Sequence, residues 1–190
     1  MASPVFHGLT GAGLAYVLAG DGSLPLFASF RKTLPLLVAG AVAACLPDID
    51  YLPGLWRGHL NAAHQLATHS LAWVVLATAG ILLVGRAWQP ARFGWRAAVF
   101  LLALAGSHLA IDGVTADRSP PCGFPLGWPF SHVAMLAPFA LLPAWEKASL
   151  AEVVGMANVR PLAIELAAGF AILAACIWAK RGWTIFKAAL

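Results

Sequence analysis

The chain has too little charge for a protein that faces water on all sides. Only 11% of its 190 residues are charged and 61% are hydrophobic, and the mean hydropathy is +0.79. Soluble domains carry about 25% charged residues because their surfaces need them. The shortage excludes an ordinary soluble domain and predicts an integral membrane protein, with one domain over residues 1–190.

Paired cysteines and a cleavable signal peptide are also missing. Cys45, Cys122 and Cys176 are isolated and form no C-x-x-C pair, so neither a disulfide framework nor a thiolate zinc site is indicated. The N-terminus lacks the basic stretch that opens a cleavable signal, so we expect the first apolar segment to be retained.

The formal net charge of +4 comes from Lys and Arg residues that lie between or after apolar runs. Charges in such places set membrane topology. No stripe of basic and aromatic residues shares one face, so we predict no nucleic-acid partner and expect a lipid bilayer as the surroundings.

Six apolar stretches are predicted to be membrane helices or parts of them, which gives an all-α, polytopic bundle of about five to six helices. They are residues 5–20, 34–46, 66–85, 97–111, 131–145 and 162–179. We expect Pro138 and Pro143 to kink the fifth. Several stretches are shorter than the ~20 residues that cross a bilayer, which predicts tilted helices or local thinning.

The positive-inside rule orients the first four segments. Basic residues follow the first segment and lie between the third and the fourth, so both loops are expected on the cytoplasmic side. All six histidines and three of the five aspartates then fall at the outer end of the helices.

Two arrangements of the chain after residue 130 stay open. If the fifth segment spans the membrane, the sixth leaves Lys180 and Arg181 on the wrong side. A broken or re-entrant fifth segment keeps the rule and brings Glu165 towards the polar end.

The polar residues at this end are of the types that bind metal ions. His108 and Asp112 are four residues apart and share one face of a helix, and Asp48 and Asp50 alternate after Pro47. Histidine and carboxylate are the ligands of zinc, manganese or iron. A cation also removes the repulsion within a group of carboxylates, so the sequence predicts a metal site.

Four motifs follow one another in a specific order. They are His7, Leu-Pro-Asp-Ile-Asp at 46–50, His-x-x-x-Thr-His-Ser at 64–70, and Ser-His-x-x-x-Asp-x-x-Thr at 107–115 with Trp-Pro at 128–129. Together they resemble the membrane-bound metal-dependent hydrolases, the YdjM-like family of bacterial inner membranes, over residues 5–130. Gln65 and Leu66 stand where that family has arginine and glycine.

The YdjM-like family is more distantly similar to the zinc-dependent phospholipase C and P1-type nuclease group. This resemblance implies two or more divalent ions, zinc first and manganese or iron otherwise, with catalysis by Asp48, Asp50, His69 and Asp112. The implied metal ligands are His7, Asp48, Asp50, His64, His69, His108 and Asp112. The candidates for orienting ligands or contacting substrate are Gln65, Thr68, Ser70, Ser107, Thr115, Arg118, His132 and Glu165.

The leading functional hypothesis is a metal-dependent hydrolase of a phosphate ester, acting on a membrane lipid or a lipid-linked phosphate at the outer face of the bacterial inner membrane. A metal- or proton-coupled transporter is an alternative, although the inner halves of the third and fourth segments offer almost no polar path. A non-catalytic membrane protein with a structural metal is another, which closed coordination would favour. The sequence does not indicate an oligomeric state.

Overall fold

The computed structural model describes residues 1–23, 26–60, 64–118, 122–136 and 138–189. Within these ranges the chain forms seven α-helices and no strand, so the all-α prediction is confirmed. The helices are α1 Pro4–Ala19, α2 Leu26–Ala44, α3 Tyr51–Arg57, α4 Leu71–Trp88, α5 Trp95–Asp112, α6 Leu150–Val153 and α7 Val159–Ala188.

Small residues let α1 and α2 pack closely against each other. A Cβ built at Gly11 would lie 2.4 Å from the Cβ of Ala44, and one built at Gly40 would lie 2.3 Å from the Cβ of Ala15. Glycine at these two positions allows the backbones to approach, as is usual in membrane helix pairs. The antiparallel contact brings the start of α1, with His7, beside the end of α2.

Helix α7 packs along α1 in the same direction. A Cβ at Gly169 would lie 2.7 Å from Cδ1 of Leu9, close to the start of α1. Near the other end, Lys180 Nζ donates a hydrogen bond to the carbonyl oxygen of Val17 over 2.8 Å. Both helices therefore begin at the end of the bundle that holds His7.

The predicted fifth helix over 131–145 is wrong, because the described residues of this segment form no helix. Pro138 and Pro143 lack the N–H group that a helix needs, and the chain forms bridges instead. Met135 pairs with Phe124 and Leu142 with Thr115. The segment stays near the end of α5, which agrees with the alternative of a broken fifth segment that does not span the membrane. Residue 137 lies outside the described residues.

Three helices are long and apolar enough to cross a membrane by length and composition, namely Leu71–Trp88, Trp95–Asp112 and Met156–Ala188. A fourth span is possible if Lys32–Ala44 and Leu46–Arg57, bent by 58°, count as one. Because 131–145 does not cross, α7 begins where α5 ends. Lys180 and Arg181 consequently lie at the opposite end, together with the loop that joins α4 to α5.

Candidate metal site

Two short turns and three helices bring the polar residues together. Asp48 and Asp50 lie in a 3-10 turn, Leu46–Asp50, that Pro47 opens directly after α2. His69 ends a second 3-10 turn, Ala67–His69, and the next residue caps α4. His108 and Asp112 occupy the last turns of α5, and His7 lies near the start of α1.

Four ligand atoms form the centre of the site, which we call the central quartet. They are Nε2 of His69, Nε2 of His108, Oδ1 of Asp48 and Oδ2 of Asp112. Nε2 of His69 lies 3.6 Å from each of the two carboxylate oxygens. Nε2 of His108 lies 3.5 Å from the Asp48 oxygen and 3.0 Å from the Asp112 oxygen, and the two nitrogens are 3.3 Å apart.

These five separations are of the size expected between ligands of one metal ion. Four atoms at ~2.0–2.2 Å from a zinc ion are roughly 3.3–3.6 Å from one another. Asp112 Oδ2 and Asp48 Oδ2 are buried without a hydrogen-bond partner among the described residues, as is Nδ1 of His7. Buried carboxylate oxygens in this state are costly unless a cation lies nearby. The residues therefore suit a metal ion.

Asp112 links the central quartet to His7. Its other oxygen, Oδ1, lies 3.1 Å from Nε2 of His7 and accepts a hydrogen bond from the backbone N–H of Ala2 over 3.3 Å. The His7 ring stacks on that of His108, with centroids 3.6 Å apart. The two oxygens of Asp112 thus face two neighbouring groups of ligand atoms.

Asp50 is held differently, because hydrogen-bond donors already surround both of its oxygens. Oδ1 lies 2.8 Å from Nδ1 of His64. Oδ2 accepts from the backbone N–H of Gln65 over 3.1 Å and from the hydroxyl of Thr68 over 2.5 Å, and lies 3.2 Å from Nδ1 of His69. The carboxylate on Nδ1 of His69 fixes its tautomer and leaves Nε2 of this imidazole to face the central quartet.

All seven predicted ligands lie in three groups of three residues. Within each group, the ligand atoms are within 4.8 Å of one another. The groups are His7 with His108 and Asp112, Asp48 with His69 and His108, and Asp50 with His64 and His69. His69 and His108 each belong to two groups, so the three form one continuous cluster. This cluster could hold a metal ion.

The two histidines that precede α4 differ in their pKa values. Burial lowers the pKa of His64 to about 4. Burial also opposes the charged form of His69, but hydrogen bonds to Asp48 and Asp50 outweigh it and raise the pKa of His69 to about 9. A proton on His69 and a metal ion at the quartet therefore compete for the same negative surroundings.

Of the predicted supporting residues, Thr68 and Gln65 contact the cluster directly, through the hydrogen bonds to Asp50. Ser70 caps α4, where its hydroxyl oxygen accepts from the backbone N–H of Trp73 over 3.1 Å. The hydroxyls of Ser107 and Thr115 donate to backbone carbonyls of α5. These last three side chains stabilise the turns that present the ligands.

Glu165, a candidate for orienting ligands or contacting substrate, is fully buried. Its carboxylate accepts hydrogen bonds from the N–H and the hydroxyl of Ser3 and from Nε1 of Trp145 over 2.8 Å. It belongs to none of the three ligand groups. Glu165 thus ties α7 to the start of α1, about one turn before His7. Arg118 and His132 are exposed and also lie outside the groups.

Sequence reasoning missed two residues beside the cluster. The ring of Tyr51 stacks on that of His64, with centroids 3.8 Å apart. Nζ of Lys147 donates to the Tyr51 hydroxyl over 3.2 Å, and the lysine is only 6% exposed. Burial lowers the pKa of Lys147. The one sequence signal for this contact was the position of Lys147 just after the apolar stretch 131–145.

Comparison with known proteins gives one positive finding. A family model described as YdjM inner membrane protein matches residues 1–184. No curated protein and no solved structure matches the chain. The match extends the motif-based resemblance from residues 5–130 through Lys147, Glu165 and most of α7.

Proposed function

The chain belongs to the YdjM inner membrane protein family, and we propose that it is a metal-dependent hydrolase of phosphate esters. One observation supports this most strongly. In the quartet of His69, His108, Asp48 and Asp112, both imidazole nitrogens lie 3.0–3.6 Å from the two carboxylate oxygens, as ligands of one metal ion do. A metal ion held there would lower the pKa of a water molecule and attract phosphoryl oxygens.

The surrounding residues would keep the ligands in place during hydrolysis. Nδ1 of His108 donates to the carbonyl oxygen of Ala44 over 2.8 Å, which directs Nε2 to the quartet. Asp50 orients His69 in the same way. Oδ2 of Asp48 has no hydrogen-bond partner among the described residues, so it can accept the proton of the attacking water.

The distribution of buried polar residues favours a catalytic site over a transport path. Among the described residues, every buried histidine, carboxylate and lysine lies at the end of the bundle that holds the cluster. A path for ions or protons needs such groups through the depth of the membrane. The same distribution supports a substrate that reaches the site from one side.

The charge distribution supports an outer location for this site. Lys180, Arg181 and Arg92 lie at the other end, and basic residues of short loops stay in the cytoplasm. Trp56 and Phe130 are exposed near the cluster end, where aromatic side chains commonly contact the membrane interface. A membrane lipid or a lipid-linked phosphate reaches such a site by lateral diffusion.

Metal content and turnover of the purified protein test this proposal. We expect near-stoichiometric zinc, manganese or iron, and metal-dependent release of phosphate or a phosphorylated head group from a panel of phospholipids and polyprenyl phosphates. His108→Ala should lose both metal and turnover, whereas His132→Ala, an exposed histidine outside the ligand groups, should keep both.

The results also separate the hydrolase from its rivals. Full metal retention by His108→Ala would contradict the metal site itself. Stoichiometric metal in the wild type without turnover of any ester would contradict the hydrolase and favour a structural metal.

A further inference from the structure

An apolar cavity lies beside the metal cluster, and the proposed reaction does not yet use it. Its volume is about 280 Å³, near the lower end of the ~300–1,000 Å³ typical of small-molecule pockets. The N-terminal residues 1–4 form one wall. The other walls are formed by α3, by Leu60, and by Trp145, Lys147 and α6.

This cavity is separated from the metal cluster by a single layer of residues. Tyr51 lines the cavity and stacks on His64. Ala2 also lines it, and its backbone N–H donates to Asp112. A molecule in the cavity therefore lies next to two residues that contact candidate metal ligands, Tyr51 on His64 and Ala2 on Asp112.

One charged side chain, Lys147, lines this otherwise apolar space. An ammonium group has three donors, and the described residues offer it one hydrogen-bond acceptor, the hydroxyl of Tyr51. No ion pair joins it to a described carboxylate within 4.0 Å, although the charges of Asp112 and Asp48 act on it from further away. A buried cation with free donors is costly and is suited to an anion.

The rim of the cavity shows which kind of anion fits. Leu52, Leu55 and Leu150 line the cavity and are exposed at its edge. In a membrane protein such leucines contact hydrocarbon. An occupant with a hydrocarbon chain would bury this apolar surface, while its anionic end reaches Lys147.

We propose that the cavity binds the hydrocarbon chain of a lipid phosphate and that Lys147 contacts the phosphate. This inference rests on the proposed function and narrows its substrate class to amphiphiles, excluding water-soluble phosphate esters. Lys147 is then a residue that binds the phosphate in the cavity, with Tyr51 and Ala2 between the cavity and the metal ligands. Each methylene that leaves water for the cavity strengthens binding by roughly fourfold.

Binding can be measured without turnover on the full chain in nanodiscs of phosphatidylcholine, with a chelator present so that no metal ion hydrolyses the ester or binds phosphate. The probes are decyl phosphate, inorganic phosphate and the neutral decanol. Lys147→Met removes the charge, and Lys187→Met is its matched control at the far end of α7. Val153→Phe fills the cavity, and Val154→Phe makes the same change at a neighbour that is 83% exposed. Lys147→Arg keeps the charge.

We expect decyl phosphate to bind the wild type and both controls alike. Lys147→Met should weaken this binding by at least about tenfold, because a hydrogen bond to a charged group is lost, and should leave decanol binding unchanged. Lys147→Arg should restore most of the affinity. Val153→Phe should weaken binding of both decyl ligands, and inorganic phosphate should bind much more weakly than decyl phosphate.

Equal affinity of Lys147→Met and Lys187→Met would overturn the proposal, as would equal affinity of Val153→Phe and Val154→Phe. Tight binding of inorganic phosphate would overturn the lipid assignment. Partitioning of the decyl ligands into the nanodisc lipid is the same for all variants, so it cancels when the affinities of two variants are compared. Metal content is measured in parallel. If the binding differences hold but no ester is hydrolysed, the proposed function fails while the lipid phosphate site stands.

Discussion

Replacement of Asp50 by asparagine removes one negative oxygen from a buried carboxylate that four donors surround. Two of these donors are Nδ1 of His64 and Nδ1 of His69. The others are the N–H of Gln65 and the hydroxyl of Thr68. The amide NH₂ group of asparagine would face donors on one side, so hydrogen bonds that orient the histidines are lost although the side chain keeps its size.

The magnitude follows from the groups left unpaired. If the NH₂ group replaces Oδ2, the N–H of Gln65 and Nδ1 of His69 lose their acceptor, whereas the hydroxyl of Thr68 can reverse its role. Two buried donors without acceptors cost roughly 2–6 kcal/mol together. Loss of a carboxylate that orients a metal-ligating histidine typically weakens metal binding ~10–100-fold, and we expect Asp50→Asn to fall in this range.

A competition titration against a chelator of known affinity measures this effect. Asp112→Asn, which changes a quartet oxygen, should lose more affinity than Asp50→Asn. Asp21→Asn is the matched control, because this exposed aspartate lies at the other end of α1, and it should bind metal like the wild type. An Asp50→Asn protein with wild-type metal affinity would refute the orienting role. A loss equal to that of Asp112→Asn would show that Asp50 is itself a ligand.

Three further predictions concern stability and pH. Glu165→Ala leaves the N–H of Ser3 and the indole of Trp145 without their acceptor and should lower the free energy of unfolding in detergent by about 2–5 kcal/mol. Gly11→Val places a side chain where even a Cβ would be 2.4 Å from a neighbouring Cβ, so the variant should unfold at markedly lower temperature. The apparent metal affinity should fall by about tenfold per pH unit below pH 9, because the metal must displace the proton that the raised pKa keeps on His69.

For each of these three predictions, one outcome would contradict the reasoning. A Glu165→Ala protein within 1 kcal/mol of the wild type would show that water replaces the lost acceptor. An unchanged unfolding temperature for Gly11→Val, compared with Gly106→Val at an open position, would contradict the close contact of α1 with α2. Metal affinity that does not change between pH 6 and pH 8 would contradict competition at His69.

The sequence predicted the helical class and the position of the polar end well, for a physical reason. Long apolar stretches can be satisfied only as helices in lipid, and the spacing of His108 and Asp112 places both on one helix face. The ordered motifs named all the residues that the structure brings into the three ligand groups. Composition and local spacing determine these features.

The chain after residue 130 was harder to predict, because its structure depends on distant contacts. The segment 131–145 is apolar enough for a helix, but prolines and pairing with residues near Thr115 and Phe124 keep it extended. Lys147 reaches Tyr51 across 96 positions of sequence, and no local pattern shows this. The role of Glu165 likewise depends on Ser3, at the other end of the chain.

Anomalous X-ray scattering at metal absorption edges, on crystals of the purified protein, tests the central claim most directly. We predict a peak at ~2.0–2.2 Å from Nε2 of His69, Nε2 of His108, Oδ1 of Asp48 and Oδ2 of Asp112, and its disappearance in His108→Ala. A metal-loaded protein whose anomalous peak lies away from these four atoms, or that shows none within the cluster, would contradict the metal site and the hydrolase that we derive from it.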